Sequence, residues 1–166
     1  SAPARFIVDG ESVLHVIGDT HGDQNYLYRC LVSTELFHIE DDNEWGTDIS
    51  WNTDMTDANF EVVVLGDIVD RGTQSARMLL KLMHLSKDEK WGSHLKVLMG
   101  NHESMLLTNQ GKQYRSGDLN QDVVEKGLRA TNGDWFELFN WVRSLPVIYI
   151  SNDLLLMHGG LSAPTL

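Results

Sequence analysis

Four short clusters of Asp, His, Asn and Arg punctuate the chain: Gly18-Asp19-Thr20-His21-Gly22, Gly66-Asp67-Ile68-Val69-Asp70-Arg71-Gly72, Gly100-Asn101-His102-Glu103 and His158-Gly159-Gly160. Singly, each has the residues a turn prefers for backbone reasons. Together they supply carboxylates, imidazoles and an amide oxygen, the mixture that a pair of divalent cations binds. The chemistry such a pair performs on this donor set is phosphate ester hydrolysis.

A two-metal site needs one ligand shared by both ions, terminal ligands for each, and room for a water between them. Asp67 is the candidate bridge, because its cluster lies between the others and a carboxylate can span two ions. Asp19 and His21 stand two apart on one turn and can face a single ion, while Asn101 and His158 suit the second. Mixed nitrogen and oxygen ligands fit manganese, iron or zinc better than calcium. His102 adjoins a proposed ligand and is the candidate general acid, with Asp70 orienting its imidazole. Arg71 offers a bidentate fork to phosphate oxygens, and Asn101 is the other candidate substrate contact. Each assignment has a plainer competitor. His21 is a turn residue, Asn101 a left-handed or helix-capping Asn before Glu103, and His158 a space-filling histidine before two glycines. Asp70 and Arg71 form a salt bridge or a cap. His15, His38, His84 and His94 lie outside any cluster and carry no functional assignment.

These clusters matter only if the fold brings them together. An apolar run precedes each of them: Leu14-His15-Val16-Ile17, Val62-Val63-Val64-Leu65, Leu95-Lys96-Val97-Leu98-Met99 and Leu154-Leu155-Leu156-Met157. Short runs of this kind, closed by Gly or a polar turn, predict buried strands whose carboxyl ends meet at one sheet edge. Helical spacing runs over 24–37 (Leu27, Leu31, with Cys30 on or near that face), over 73–85 (Ala76, Leu79, Leu80, Met83, with Thr73 as N-cap) and over 134–144 (Trp135, Leu138, Phe139, Val142, stopped by Pro146). Alternating strands and helices predict an α/β architecture in a single domain, 1–166.

The net charge of −11, with 13 scattered Lys and Arg, argues against a nucleic-acid-binding module. A phosphate substrate is also an anion, so the positive field it needs has to come from metal ions and Arg71. Seven carboxylates without a Lys or Arg occupy residues 38–59, which read as an acidic loop insertion pinned to the body by Trp45 and Trp51. Their spacing does not match a twelve-residue calcium loop. No apolar run approaches the roughly 20 residues of a membrane span. The single cysteine, Cys30, reads as a buried thiol and fits a reducing compartment, so a cytoplasmic location is the expectation.

The four clusters are together the signature of the phosphoprotein phosphatase family, and the chain resembles that branch of the calcineurin-like metallophosphoesterases over residues 14–162. Within it the chain is most similar to the Shewanella-like protein phosphatases, on Trp45-Gly46, on Gly100-Asn101-His102-Glu103-Ser104-Met105 with Tyr114-Arg115 downstream, and on the stretch 141–146 feeding Val147 and His158. The resemblance implies a β-sandwich flanked by helices and a dinuclear site of manganese, iron or zinc. It places Asp19, His21 and Asp67 on one ion and Asp67, Asn101 and His158 on the other. It implies direct attack of a metal-bound hydroxide on a phosphoprotein, without a phosphoenzyme. An ApaH-like diadenosine polyphosphate hydrolase is the neighbouring alternative; its second motif usually lacks the acid that Asp70 supplies here.

Family members carry a further metal-binding His and a second phosphate-binding Arg well after His-Gly-Gly, whereas this chain stops at Leu166. The expectation is a C-terminally truncated domain with weakened binding at the second ion, little activity and apolar surface left open where further strands pack. Two other classes stay in play: a metal-binding pseudophosphatase, and an acidic interaction domain using residues 38–59.

Overall fold

The computed structural model describes residues 3–8, 11–42 and 46–160. A four-stranded sheet forms its centre, in the order β1 (Ala4–Val8), β2 (Ser12–Ile17), β5 (Phe60–Val64), β6 (Leu95–Val97). The first pair is antiparallel and the other two are parallel, with Val13 opposite Phe60 and Val62 opposite Leu95. Val62, Val63 and Val64 are all fully buried, which is the pattern of a central parallel strand covered on both faces.

On one face, Ile17, Val62, Val64, Leu95 and Val97 pack with helices α1 (Gln24–Val32), α2 (Ser75–Ser86), α3 (Asn101–Leu107), α4 (Gln121–Arg129) and α5 (Gly133–Arg143). The helix expected over 24–37 stops at Val32. There the Thr34 hydroxyl donates to the Leu31 carbonyl, and Glu35 at φ +65° turns the chain into a strand. The helix expected from Thr73 begins two residues later. Asp118 caps it from a distance, accepting from the Ala76 and Arg77 amides at 3.0 Å each, while the Thr73 carbonyl is engaged by the Asp118 amide.

The expected acidic loop at 38–59 is instead largely a β-hairpin, β3 (Phe37–Asp42) paired antiparallel with β4 (Gly46–Trp51). Its cause is an apolar face that the run of carboxylates obscured: Phe37 stacks on Trp51 at 4.2 Å, and Ile49 is fully buried. Trp51 does pin the segment, donating from Nε1 to the Leu85 carbonyl, and Lys81 pairs with Asp48 at 2.7 Å. Trp45 lies outside the described residues.

The fourth apolar run is a strand, β8 (Leu154–Met157), but it belongs to a separate hairpin with β7 (Ile148–Ser151). That hairpin covers the second face of the central sheet, setting Tyr149, Leu154 and Leu156 against Leu14, Val16, Val63 and Leu98. Tyr149 and Ser151 donate their hydroxyls to the Glu61 carboxylate on β5, which fixes the register of the two layers. The result is a mixed α/β fold in which two β-layers are stacked, with the described helices on the outer side of the central sheet. Ile148, Ile150 and Leu155 stay exposed on the outer face of the hairpin. Among the described residues no helix is long and apolar enough to cross a membrane. Cys30 is buried, as its neighbours predicted.

Candidate metal centre

The loops after β2, β5 and β6 are zipped together by backbone before any side chain is considered. Thr20 and His21 donate their amides to the Asp67 carbonyl, Gly22 donates to Ile68, and Gly72 returns a bond to His21. Glycine permits that approach: a Cβ on Gly72 would lie 2.4 Å from Gly22, and one on Gly66, at φ +99°, would lie 2.3 Å from the Gly100 nitrogen. His21, Asp67, Asp70 and Arg71 all adopt positive φ, between 41° and 70°. Left-handed backbone at four non-glycine positions is held against its local cost by this zipper, and such outliers gather at functional sites.

Glu103 is the clamp that sequence reasoning quoted but gave no role. Fully buried at the third position of α3, its carboxylate accepts from the amides of Ile68 and Val69 on Oε1 and from those of Asp67 and Gly100 on Oε2, at 2.8 to 3.2 Å. Burial pushes its carboxyl above the ordinary value, and the four amides work in the opposite direction. The only signal in the sequence was an acid three residues after a helix-opening Gly, the capping-box spacing. Gly100 is the cap residue and Asn101 opens the helix, so the reading of Asn101 as the cap is not realised.

Side chains from all four clusters converge on the Asp67 carboxylate. Its Oδ1 accepts from the His102 amide at 3.0 Å, leaving Oδ2 facing three imidazole nitrogens: His158 Nε2 at 3.3 Å, His21 Nε2 at 3.7 Å and His102 Nε2 at 4.0 Å. His21 Nδ1 lies 3.1 Å from the Val69 carbonyl, which can only accept, so the proton sits on Nδ1 and the Nε2 lone pair points inward. A ring nitrogen tied to a backbone carbonyl is how metal-ligating histidines are oriented. Asp19 stands between His21 and His158, at 3.8 Å and 3.6 Å, and Asn101 Oδ1 lies 3.0 Å from His158 Nε2. His158 Nδ1 is buried with no hydrogen bond.

Two groups of donor atoms each fall within 4.8 Å of one another, His21 with Asp67 and His102, and Asp19 with Asp67 and His158; Asp67 belongs to both. Two carboxylates and several lone pairs converge here, and no Lys or Arg ion pair with Asp19 or Asp67 occurs among the described residues. That donor set fits divalent cations of borderline character.

His102, whose ring meets that of His21 edge-on at 4.8 Å, differs from the other imidazoles in its second partner. Its Nδ1 is 2.8 Å from Oδ2 of Asp70, a fully buried carboxylate, and Tyr114 meets its ring edge-on at 5.5 Å. Arg71 is exposed, and its side chain makes no hydrogen bond or ion pair among the described contacts. The structure therefore brings Asp19, His21, Asp67, Asn101, His102, Asp70 and His158 together, and does not tie the exposed Arg71 side chain to them among the described residues. His15, His38, His84 and His94 lie elsewhere; His94, for instance, serves the fold by bonding the Phe60 carbonyl.

The chain is similar to known proteins. The family model for calcineurin-like phosphoesterases matches residues 13–166. A symmetrical bis(5'-nucleosyl)-tetraphosphatase of Pectobacterium carotovorum is 28% identical over 150 residues, which is 89% of this chain and 43% of that protein. Among solved structures, a cold-active protein-tyrosine phosphatase from a psychrophilic Shewanella superposes with a TM-score of 0.60 at 27% identity, covering 90% of this chain and 42% of the other. A protein serine/threonine phosphatase from Saccharomyces cerevisiae gives 0.54 at 28% identity, covering 92% and 40%. The chain thus spans less than half the length of each.

Proposed function

The chain belongs to the calcineurin-like phosphoesterase family, and from that membership we propose that it hydrolyses phosphate esters or anhydrides at a two-metal centre built on Asp67, with symmetrical dinucleoside polyphosphates as the substrate class. The observation that carries the reaction type is the buried Asp67 Oδ2, faced at once by imidazoles from the first, third and fourth clusters. Asp19, His21, Asp67, Asn101 and His158 would hold two ions, manganese by preference. Such ions would supply an activated water and neutralise phosphate oxygens.

The protein's own groups do the rest. Asp70 Oδ2 accepts a hydrogen bond from His102 Nδ1–H and fixes the ring, so that Nε2 is the nitrogen placed to give a proton to the departing oxygen. Glu103 keeps the Asp67 loop from relaxing. The Arg71 side chain, with no hydrogen bond or ion pair among the described residues, offers its fork to phosphate oxygens at the rim.

The polyphosphate reading takes its substrate from the curated relatives, which are named as tetraphosphatases. A phosphoprotein substrate is the second reading, favoured by the His102–Asp70 pair and by the two phosphatases to which the fold is similar. Initial rates of the manganese-equilibrated chain on diadenosine tetraphosphate, beside phosphoserine and phosphotyrosine peptides, separate them. Faster release of nucleoside diphosphate, abolished in Asp67→Ala, is the expected result. Faster peptide dephosphorylation reverses the substrate assignment, and metal binding without turnover on either substrate favours a pseudophosphatase.

A further inference from the structure

Three consecutive residues downstream of α3 hold three consecutive residues of the second cluster. The Tyr114 carbonyl accepts from the Arg71 amide at 2.8 Å, the Ser116 hydroxyl donates to the Gly72 carbonyl, and the Arg115 guanidinium lies against Asp70, with Nε 4.0 Å from Oδ1. The strap continues, since Asp118 caps α2 and a Cβ on Gly117 would lie 2.3 Å from Thr73. What it restrains is a pair of residues at φ +70° and +66°.

Arg115 is the part of the strap that carries charge. Its side chain is 2% exposed, and its terminal nitrogens are tied to Asn109 Oδ1 at 3.1 Å, the Gln110 carbonyl at 2.6 Å and the Met105 carbonyl at 3.4 Å. Asp70 is fully buried, with Oδ2 on His102; among the described residues neither its Oδ1 nor the buried Arg115 Nε has a hydrogen bond. A buried carboxylate is costly unless a cation answers it. Among the described ion pairs, Arg115 is the Lys or Arg that Asp70 meets.

We propose that Arg115 is a positioning residue for His102: its charge compensates Asp70 and keeps Oδ2 aimed at His102 Nδ1, so that Nε2 stays turned towards Asp67 and the departing oxygen. This rests on the reading of His102 and Asp70 as the proton-donating pair. The contacts to Asn109, Gln110 and Met105 also tie down the loop, and a purely structural role would rest on those alone. Lysine separates the two, because it restores a cation beside Asp70 but cannot reproduce the three-way fork.

The test compares wild type, Arg115→Met and Arg115→Lys. It reads the downfield proton resonance of His102 Nδ1–H by NMR, together with kcat and KM of the manganese-equilibrated chain on a small aryl phosphate. Wild type shows the resonance. In the Met variant it is lost, and kcat falls by roughly ten- to a hundredfold with KM little changed. In the Lys variant both are largely rescued. A Met variant with the wild-type resonance and kcat overturns the proposal, and equal loss in Met and Lys variants overturns it in favour of loop anchoring. Should the Met variant not fold, Arg115→Gln, which lacks the charge but keeps donors for the loop, is judged by the same signals. Absence of turnover in wild type counts against the phosphohydrolase reading, while the resonance still decides the question of Arg115.

Discussion

Replacing Glu103 by Gln changes one oxygen to an amide nitrogen and almost no volume, so it isolates what the clamp contributes. Each carboxylate oxygen serves two amides, Ile68 and Val69 on one, Asp67 and Gly100 on the other. A Gln can satisfy only one of those pairs; its NH2 group then faces two N–H donors, and flipping the amide merely exchanges the pair that suffers. Two hydrogen bonds to a charged acceptor are lost, at about 1.5–3 kcal/mol each, for a destabilisation of about 3–6 kcal/mol. Against a typical total of about 5–15 kcal/mol for a folded domain, that is a large fraction. At about 2–4 °C per kcal/mol it lowers Tm by about 6–24 °C. Urea unfolding in metal-free buffer at pH 7, followed by tryptophan fluorescence, gives the number directly. A Gln variant within about 1 kcal/mol of wild type would mean that Glu103 is protonated in the native state, and the ionised clamp would have to be abandoned.

Other outcomes follow from the same contacts. Asp67→Ala removes the ligand common to both donor groups, so manganese measured by elemental analysis of the desalted protein falls from two ions per chain to about none; retention of one ion refutes the shared carboxylate. Asp118→Ala uncaps α2 from outside the helix and costs about 1 kcal/mol in urea unfolding, the usual worth of a side-chain cap. Burial, with Glu61 adding to it, pushes the Tyr149 hydroxyl up to about 12. The native state keeps a proton that the unfolded chain releases near pH 10, so this contribution is complete below about pH 10 and is lost as the pH rises towards 12. Tyr149→Phe lacks that share of the alkaline loss, and urea midpoints from pH 8 to 12 that run parallel for the two proteins contradict it.

The donor residues were legible in the sequence because each is flanked by glycines and follows a run too apolar for a surface loop. His21 and Asp67 follow strands of the central sheet as expected, whereas His158 follows a strand of the separate β7–β8 hairpin and still reaches Asp67. Three features were harder to read. Over 37–51 the density of carboxylates outweighs the apolar positions Phe37, Ile49 and Trp51, although it is these three that the fold buries. Helices α3 and α4 went unnoticed, α3 because it is short and opens inside a functional motif, and α4 because its buried stripe rests on little more than Val124 and Gly127. The roles of Glu103 and Arg115 depend on partners more than 30 residues away in the chain, and no local pattern specifies a backbone amide or an orphaned carboxylate oxygen at that distance.

The split of the strands between two layers has a consequence for how the protein matures. Asp19, His21, Asp67 and Asn101 follow strands of one sheet, whereas His158 arrives on the β7–β8 hairpin, whose docking closes a contact spanning 139 positions back to Asp19. Contacts of such sequence separation are slow to form. A chain whose hairpin has not yet seated holds the group His21, Asp67 and His102 but lacks His158, and with it the second donor group. At the two-metal centre proposed above, cation capture would act as a final inspection: ions that bind only the fully assembled chain would withdraw it from the equilibrium with its loosened forms and raise its apparent stability with their concentration.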